Sequence, residues 1–311
     1  MRLLLIGCTG FVGRQLVPQL LNNGHQLTLV SRKNNQDLAH NVESEQLLRI
    51  KKNPANLENW QQGALIKALA EAEGVINLAG EPIAEKRWTS NHCQELQNSR
   101  LNTTRGLVNA MGLLKRPPRI LVNASAVGYY GTNQDAIFTE ESPSGKDFLA
   151  NLCDQWETIA TKKPRSTRVI IFRIGIVLGP GGGALGKMLP VFKAGLGGPI
   201  GDGDQWMSWI HRSDLCQMIQ QALTNKSWSG VVNAVAPEAV SMSKFTTLLG
   251  KRLGRPSLLP VPGAILKLLL GDGARVVLEG QQVKSMRLKK LGFQFQYPEL
   301  NQALTAVTNQ N

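Results

Sequence analysis

The sequence predicts an α/β fold built on a doubly wound parallel sheet, with a smaller, helix-rich lobe at the C-terminal end. One observation is an apolar strand at the N-terminus that runs directly into Gly7, Gly10 and Gly13 and then into an amphipathic helix. A second is the alternation of strand-like and helical segments up to about residue 180, which is typical of parallel sheets covered by helices on both faces. We therefore predict a Rossmann-like domain over residues 1–180, its sheet completed by part of 205–235, and a mixed substrate lobe over 181–311.

The elements of the first domain are predicted in chain order from apolar runs and breaks. Short apolar runs bounded by turn residues predict strands, and longer amphipathic stretches predict helices. After the first strand and helix, strands are expected at 27–30, 47–50, 74–80, 120–123 and 168–172, and helices at 57–72, 90–114 and 147–162. Pro117 and Pro118 end the long central helix, because proline cannot continue a helix. Beyond residue 180 the alternation lapses, which separates the C-terminal lobe from the sheet domain.

The glycine spacing after the first strand is that of a diphosphate-binding turn. Gly7 can adopt the positive φ of a tight turn, Gly10 has no Cβ to block a diphosphate, and Gly13 lets the helix pack closely on the strand. The free amides of the first helical turn attract the anion. A plain strand-to-helix turn is the alternative. The predicted cofactor-binding residues are Gly7, Thr9, Gly10, Phe11, Val12, Gly13, Ser31, Arg32, Lys33, Leu78, Ala79, Gly80 and Ala124.

The end of the second strand indicates which dinucleotide binds. A fold that prefers NAD usually carries an acidic residue there to hold the ribose 2′-hydroxyl, but this strand ends in Ser31, Arg32 and Lys33. A guanidinium and an ammonium group suit a 2′-phosphate. We therefore predict NADP(H), with a pair of solvated basic residues as the alternative.

Composition narrows the class of partner. The 311 residues carry a formal net charge of +13, yet the basic residues are dispersed and only 5% of the chain is aromatic. This pattern argues against nucleic acid and favours a small-molecule substrate, including phosphate-bearing ones. No transmembrane segment or secretion signal is recognisable, so we expect a cytoplasmic protein, and the sequence is compatible with a homodimer.

The cysteines carry no metal-binding or redox pattern. Cys8, Cys93, Cys153 and Cys216 are scattered and lack C-x-x-C spacing or paired histidines. We expect reduced thiols and no metal site.

Several short segments, taken in their order and spacing, together resemble one family. They are Thr9-Gly10-Phe11-Val12-Gly13, Asn77-Leu78-Ala79-Gly80-Glu81-Pro82-Ile83, Arg87-Trp88-Thr89, Ser99-Arg100, Ser125-Ala126-Val127-Gly128-Tyr129-Tyr130-Gly131, Leu152-Cys153-Asp154-Gln155-Trp156-Glu157, Ser208-Trp209-Ile210-His211-Arg212-Ser213-Asp214 and Leu291-Gly292-Phe293-Gln294-Phe295-Gln296-Tyr297-Pro298. Over nearly its whole length the chain resembles the extended and atypical short-chain dehydrogenases/reductases. Within them it is similar to the NAD-dependent epimerase/dehydratase-like family, in the nucleoside-diphosphate-sugar epimerase-like branch with members labelled cell-division inhibitors.

The resemblance implies a catalytic Tyr with a Lys four residues later, and this chain departs from that pattern. The aligned positions hold Leu149 and Cys153, which cannot replace that proton relay. The family's catalytic Ser falls on Ala126, unless the loop carries one extra residue, in which case Ser125 takes its place. The catalytic candidates are therefore Ser125, Tyr129 and Tyr130, with packing roles as the alternative for both tyrosines.

Other polar residues are predicted to bind substrate. The set comprises Glu81, Arg100, Glu141, Arg173, Lys187, Gln205 and Trp209. Each of four has a plainer alternative: a solvated turn for Glu141, an internal ion pair for Arg173, solvent exposure for Lys187 and core packing for Trp209. A structural hydrogen-bonding role is preferred for His211.

Two functions remain open from the sequence. The first is an NADP(H)-dependent oxidoreductase or epimerase acting on a nucleotide sugar or another small hydroxy or carbonyl compound. The second is an NADP(H)-binding regulatory protein with little turnover. The glycine loop and the full-sized C-terminal lobe favour the first, whereas Leu149 and Cys153 favour the second.

Overall fold

The computed structural model describes residues 1–32 and 44–309. Seven parallel strands form the central sheet: β1 (Arg2–Ile6), β2 (Gln26–Ser31), β3 (Leu47–Lys51), β4 (Gly74–Asn77), β5 (Ile120–Ala126), β7 (Arg168–Ile174) and β11 (Gly230–Ala234). Their spatial order is β3-β2-β1-β4-β5-β7-β11, and every neighbouring pair is parallel. The predicted Rossmann-like doubly wound sheet is confirmed, and the seventh strand comes from within residues 205–235.

Six shorter strands lie outside the central sheet and pair two by two. They are β6 (Asn133–Phe138) with β13 (Gln281–Val283), β8 (Ile176–Leu178) with β10 (Trp209–His211), and β9 (Trp206–Met207) with β12 (Val240–Ser241). The first two pairs are parallel and the third is antiparallel.

Eleven α-helices fall within the described residues. They are α1 (Gly13–Asn22), α2 (Ala64–Glu71), α3 (Ser90–Leu113), α4 (Phe148–Thr161), α5 (Gly183–Lys193), α6 (Arg212–Thr224), α7 (Met242–Leu253), α8 (Gly263–Leu270), α9 (Arg275–Leu278), α10 (Arg287–Lys290) and α11 (Leu300–Thr308). None of these helices is long and apolar enough to cross a membrane.

The sheet is buried on both faces because its strands are apolar at successive positions. Leu3 and Leu5 of β1 join the core under α1 and α6, whereas Leu4 and Ile6 join the core under α2 and α3. Burying both faces requires the near-continuous apolar runs that the sequence shows.

The order of the strands creates a crevice at the carboxyl edge of the sheet. The chain moves outward from β1 to β2 and β3, then crosses back so that β4 lies on the other side of β1. At this switch point the helices that follow β1 and β4, α1 and α3, lie on opposite faces of the sheet, and open α/β sheets bind ligands at such a point. The register sets Ile6 opposite both Val30 and Asn77, so the segments that follow β1, β2 and β4 meet at one edge.

The C-terminal lobe has its own core. Trp209, Phe245 and Leu304 are buried there together with apolar side chains of α5. Helices dominate this region, as predicted, and its small sheets tie it to the segment after β5.

Three predicted elements differ clearly in their extent. The strand expected over 74–80 ends at Asn77. The helix expected over 57–72 is a 3₁₀ turn at Leu57–Trp60 followed by α2, because Gly63 lies between them at φ +88°. The strand expected over 120–123 continues to Ala126, which carries Ser125 into the sheet edge. The sequence alone did not reveal β6.

Candidate functional site

The turn after β1 is held in place by two glycines that the protein's own packing requires. Gly7 has φ +75°, and a Cβ there would lie 2.4 Å from the amide nitrogen of Ala79. A Cβ at Gly13 would lie 1.8 Å from the carbonyl oxygen of Cys8. The turn therefore packs directly against the segment after β4 and against its own strand.

Gly10 is different, because a Cβ built there would meet open space. Outside its chain neighbours, the nearest atom is the carbonyl oxygen of Gly7 at 3.8 Å. The amides of Phe11, Val12 and Gly13 donate no hydrogen bond within the described part of the chain. An open surface beside free donors at the start of α1 fits a diphosphate, the group for which the spacing predicts this loop.

The end of β2 brings a cation to the same edge of the sheet. Arg32 is 61% exposed, and its Nη2 atom lies 3.1 Å from Oε2 of Glu81. This ion pair therefore connects the end of β2 to the segment that follows Leu78, Ala79 and Gly80. Lys33, which the sequence pairs with Arg32, lies outside the described residues.

An apolar pocket of about 380 Å³ opens beside this edge. Ser125, Arg100, Leu149 and Cys153 line it, together with apolar side chains from both the sheet domain and the C-terminal lobe. A groove lined by Gly10 and Phe11 shares Ile83 and Ile176 with this pocket as walls. The groove at the glycine turn and the pocket are therefore adjacent.

Behind the pocket, five side chains form a buried polar chain. Ser125 Oγ donates to Glu157 Oε1 at 2.6 Å, and Arg173 binds both carboxylate oxygens of Glu157, at 2.9 and 2.8 Å. Arg173 Nη1 also donates to the hydroxyl of Tyr130 at 2.9 Å, and that hydroxyl donates to Asn233 Oδ1 at 2.6 Å. This series of hydrogen bonds runs from the pocket wall to the neighbouring strands β7 and β11.

The tyrosines predicted as catalytic do not line the pocket. Tyr130 is 3% exposed and stacks on Phe138, and burial raises its pKa to about 12. Its only proton is committed to Asn233, because the guanidinium of Arg173 can only donate. The ring of Tyr129 lies 3.3 Å from the Arg173 guanidinium carbon, a cation–π contact. The geometry therefore favours the packing roles that the sequence left open for both tyrosines.

Three residues predicted to bind substrate are buried instead in internal contacts. Arg173 forms the internal ion pair with Glu157, because its guanidinium is fully enclosed between Glu157 and the tyrosines. Gln205 Nε2 donates to the carbonyls of Ile200 and Val277. Trp209 is 1% exposed in the C-terminal core. The geometry therefore favours internal roles for these three residues, because their polar groups or rings are occupied by contacts within the protein.

Two further predicted residues lie on the surface, away from the pocket. Lys187 Nζ donates to the carbonyl of Ala84 at 3.1 Å and lines the groove beside Gly10. Glu141 is exposed and does not line the pocket, while its neighbour Glu140 accepts bonds from Asn233 and Met286. Glu140, and not Glu141, is therefore the carboxylate that connects β11 to the segment at Met286.

The residues at the family's Tyr and Lys positions both face the pocket. Leu149 contributes an apolar wall. Burial raises the pKa of Cys153 to about 11, although the nearby Arg100 acts in the opposite direction. At neutral pH this thiol is protonated, so it is a poor nucleophile.

The sequence did not identify several of the residues that close the pocket. Trp88 and Phe148 pack edge to face at 5.2 Å in the pocket wall. Arg275 and Glu279 form an ion pair at 2.9 Å at the mouth. Among these residues, only the ion pair could have been predicted from the sequence, because Arg275 and Glu279 have the i, i+4 spacing of ion pairs on a helix.

His211 is structural, as expected. It is the N-cap of α6, where Nδ1 accepts a hydrogen bond from the amide of Ser213. Its ring lies 3.9 Å from that of Tyr297, and burial, reinforced by the charge of Arg212, lowers its pKa to about 4. Asp214 accepts the amides of Gln296 and Tyr297, which fixes the C-terminal segment onto α6.

Comparison with known proteins gives two family models and closely similar relatives. Residues 3–234 match the NAD dependent epimerase/dehydratase family, and residues 261–307 match a domain of unknown function, DUF1731. The chain is 43% identical over 307 residues to the chloroplastic epimerase family protein SDR39U1 homolog of Arabidopsis thaliana, covering 97% of this chain and 85% of that one. It is 38% identical over 311 residues to epimerase family protein SDR39U1 of Homo sapiens, covering 99% of each.

One solved structure is similar over the full length. It is the crystal structure of human epimerase family protein SDR39U1 (isoform 2) with NADPH, with a TM-score of 0.88 and 36% identity over 100% of both chains.

Proposed function

The chain belongs to the NAD-dependent epimerase/dehydratase family, and we propose that it is an NADP(H)-dependent oxidoreductase or epimerase acting on a small hydroxy or carbonyl compound. The resemblance inferred from the sequence is confirmed at the level of the family. One observation carries the proposal: the groove at Gly10 and the pocket beside Ser125 are adjacent, with Ile83 and Ile176 as shared walls. A dinucleotide held at the turn can extend into that pocket.

NADP(H) is the cofactor that the residues present fit best. The open Gly10 surface and the free amides of the first turn of α1 suit the diphosphate, and Arg32 suits a 2′-phosphate. The solved human relative, 36% identical, contains NADPH. When bound, this cofactor supplies hydride exchange.

Ser125 is the side chain that we propose meets the reacting oxygen. Its proton is directed to Glu157 Oε1, so the lone pairs of Oγ remain available to accept a bond from a substrate hydroxyl. As the substrate is oxidised, its hydroxyl proton passes to Ser125 Oγ while the serine proton passes to Glu157. In the reverse direction Ser125 returns a proton to the carbonyl oxygen.

This route replaces the missing Tyr and Lys pair. Arg173 holds both oxygens of Glu157, which keeps the carboxylate oriented toward the Ser125 hydroxyl. Arg173 is in turn fixed by Tyr130. Arg173 and Tyr130 therefore position Glu157, the proton acceptor, without entering the pocket.

Turnover is tested by following NADPH absorbance with a panel of aldehydes, ketones and nucleotide sugars. We expect oxidation of NADPH with at least one carbonyl compound, and loss of that activity in Ser125→Ala. Cys153→Ala serves as the comparison, since it removes a pocket side chain next to Ser125 but keeps the Ser125 hydroxyl and Glu157. Activity that survives in Ser125→Ala and not in Cys153→Ala would contradict the assignment.

A regulatory NADP(H)-binding protein with little turnover is the second candidate. Leu149 and Cys153 favour it, because both face the pocket where the family places its acid–base pair. In that case NADPH raises the melting temperature through binding linkage, yet the whole panel gives no oxidation of NADPH. The same assay therefore discriminates the two functions.

A further inference from the structure

We propose that the apolar pocket takes a compact, largely apolar carbonyl or hydroxy compound with one anionic group, and that Arg100 binds this group. The inference rests on the proposed function, and it selects among the substrates left open above. It excludes nucleotide sugars, whose diphosphate and two polar rings require a different lining.

Arg100 reaches the pocket from α3 with its charge unpaired. Its Nη1 donates to the carbonyl of Leu96 at 3.1 Å and its Nη2 to the carbonyl of Glu81 at 3.0 Å. Both partners are neutral. The carboxylate of Glu81 is directed instead to Arg32 and Lys86, at 3.1 and 3.5 Å. Within residues 1–32 and 44–309, Arg100 has no carboxylate at ion-pair distance.

The guanidinium is confined as well as unpaired. Its carbon lies 5.5 Å from the centroid of the Trp156 ring, and a Cβ at Gly80 would lie 2.9 Å from it. Burial lowers the pKa of Arg100, which reflects the cost of holding this charge away from water. An anionic ligand compensates that cost and uses guanidinium donors that the two carbonyls leave free.

The pocket offers little else to a second negative charge. Its other described cation is Arg275, which is neutralised by Glu279 at 2.9 and 3.0 Å. Asp147 adds a carboxylate at the N-cap of α4. One anionic group is therefore the charge that this lining accommodates.

The other residues that line the pocket determine how polar the rest of the ligand can be. Trp88, Phe148, Leu149, Leu152, Ile174 and Trp206 surround a volume of about 380 Å³. Burying ribose, uracil or sugar hydroxyls against such walls leaves polar groups without partners, which is unfavourable. Lys187, a basic side chain that could bind a phosphate group, lines the neighbouring groove and not this pocket. An aryl or alkyl body with a single carboxylate fits the same walls.

The test compares 4-oxo-4-phenylbutanoate, its amide and UDP-glucose as ligands. Each is titrated calorimetrically into protein saturated with NADP⁺, in which the ketone cannot be reduced. We expect the carboxylate to bind at least about tenfold more tightly than the amide, and UDP-glucose not to compete with it. Arg100→Gln should abolish the preference for the acid, while Arg100→Lys should retain part of it because the charge remains.

Three results would overturn the proposal: equal affinity for acid and amide, tighter binding of UDP-glucose, or no binding of the acid below about 1 mM. The comparison of acid with amide uses the unaltered protein, so a poorly folded variant does not obscure it. A preliminary titration with NADP⁺ alone distinguishes failure of the substrate proposal from failure of the proposed function. If NADP⁺ binds and the acid does not, only the substrate class is wrong; if NADP⁺ itself fails to bind, the proposed function fails as well.

Discussion

Ser125 and Tyr130 stand five positions apart in one segment, yet their hydroxyls are held in opposite ways. The Ser125 hydroxyl donates to a carboxylate and borders the pocket, whereas the Tyr130 hydroxyl lies between Arg173 and Asn233 inside the protein. Only the first can exchange a proton with a ligand. The Tyr130 phenol does not border the pocket and has no such role.

Replacing these two hydroxyls separates catalysis from stability. Ser125→Ala should lower kcat/KM by about 100-fold or more, the usual scale of a positioned proton-transfer group, and leave NADPH affinity unchanged. Tyr130→Phe should keep kcat/KM within a few-fold but lower the free energy of unfolding by about 1–3 kcal/mol, because Arg173 and Asn233 lose a buried partner. Steady-state kinetics and denaturant titration of both variants provide the measurement. A Tyr130→Phe enzyme that is stable and inactive would reverse the assignment.

His211 makes stability depend on pH in the acidic range. Its folded-state pKa of about 4 lies below the ordinary value of 6.5, so the unfolded chain binds the proton more tightly than the folded protein. The free energy of unfolding should therefore fall as the pH drops from about 6.5 toward 4, by at most about 1.4 kcal/mol per pH unit for this one proton. Denaturant titrations between pH 7 and pH 5 measure the slope.

His211→Asn is the matched control for that slope. Asparagine caps a helix N-terminus well but does not titrate, so the variant should show a shallower decline over the same range. An unchanged decline would assign the pH dependence to other groups.

The identities of single site residues were predictable only where backbone geometry fixes them. Gly7, Gly10 and Gly13 follow from spacing, because the strand, turn and helix leave few residue types for those positions. Arg173 and Gln205 were not predictable in the same way. Whether a buried polar side chain faces a pocket or an internal partner depends on residues elsewhere in the sequence, here Glu157 for Arg173 and Val277 for Gln205.

At the scale of elements, the glycines of the turn between β1 and α1 have different roles. Gly13→Ala should prevent folding, since its Cβ would overlap the Cys8 carbonyl, whereas Gly10→Ala places a methyl group in open space. Without cofactor, Gly10→Ala should melt within about 1 °C of the parent protein. It should nevertheless bind NADPH at least about tenfold more weakly, because the methyl group occupies the position of the diphosphate.

Thermal melts with and without NADPH measure both effects for Gly10→Ala. A variant that binds NADPH as tightly as the parent protein would show that the diphosphate does not lie over Gly10. A variant that melts far lower without cofactor would show a structural role that the open space does not predict.

Element boundaries were predictable where the sequence carries a break. Pro117 and Pro118 mark the end of α3, and the strand that follows begins at Ile120 as expected. The interruption at Gly63 was overlooked, because a single glycine does not by itself end a helical pattern. Strand β6 pairs with β13, which lies more than 140 positions away, so no local pattern identifies it.

At the scale of the whole molecule, the sheet domain supplies the cofactor edge and the C-terminal lobe closes the pocket. Trp206 and the Arg275–Glu279 pair come from that lobe, while Ser125 and Arg100 come from the sheet domain. Asn233 links the two, since it binds Tyr130 on one side and the carbonyl of Lys284 on the other. The fold class was predictable because alternating apolar segments recur through the first half of the chain. The helix-rich character of the lobe was predicted as well, but its strand pairs were not, because those strands are too short to give a pattern.

The preference for NADP(H) over NAD(H) tests the account most directly. Calorimetric titration of the purified protein with NADPH and NADH should show tighter binding of NADPH. Arg32→Ala should weaken NADPH binding about ten- to a hundredfold, the scale of a lost charged hydrogen bond, and change NADH binding little. Absence of binding by either dinucleotide, or an equal loss for both in Arg32→Ala, would contradict the proposed cofactor site.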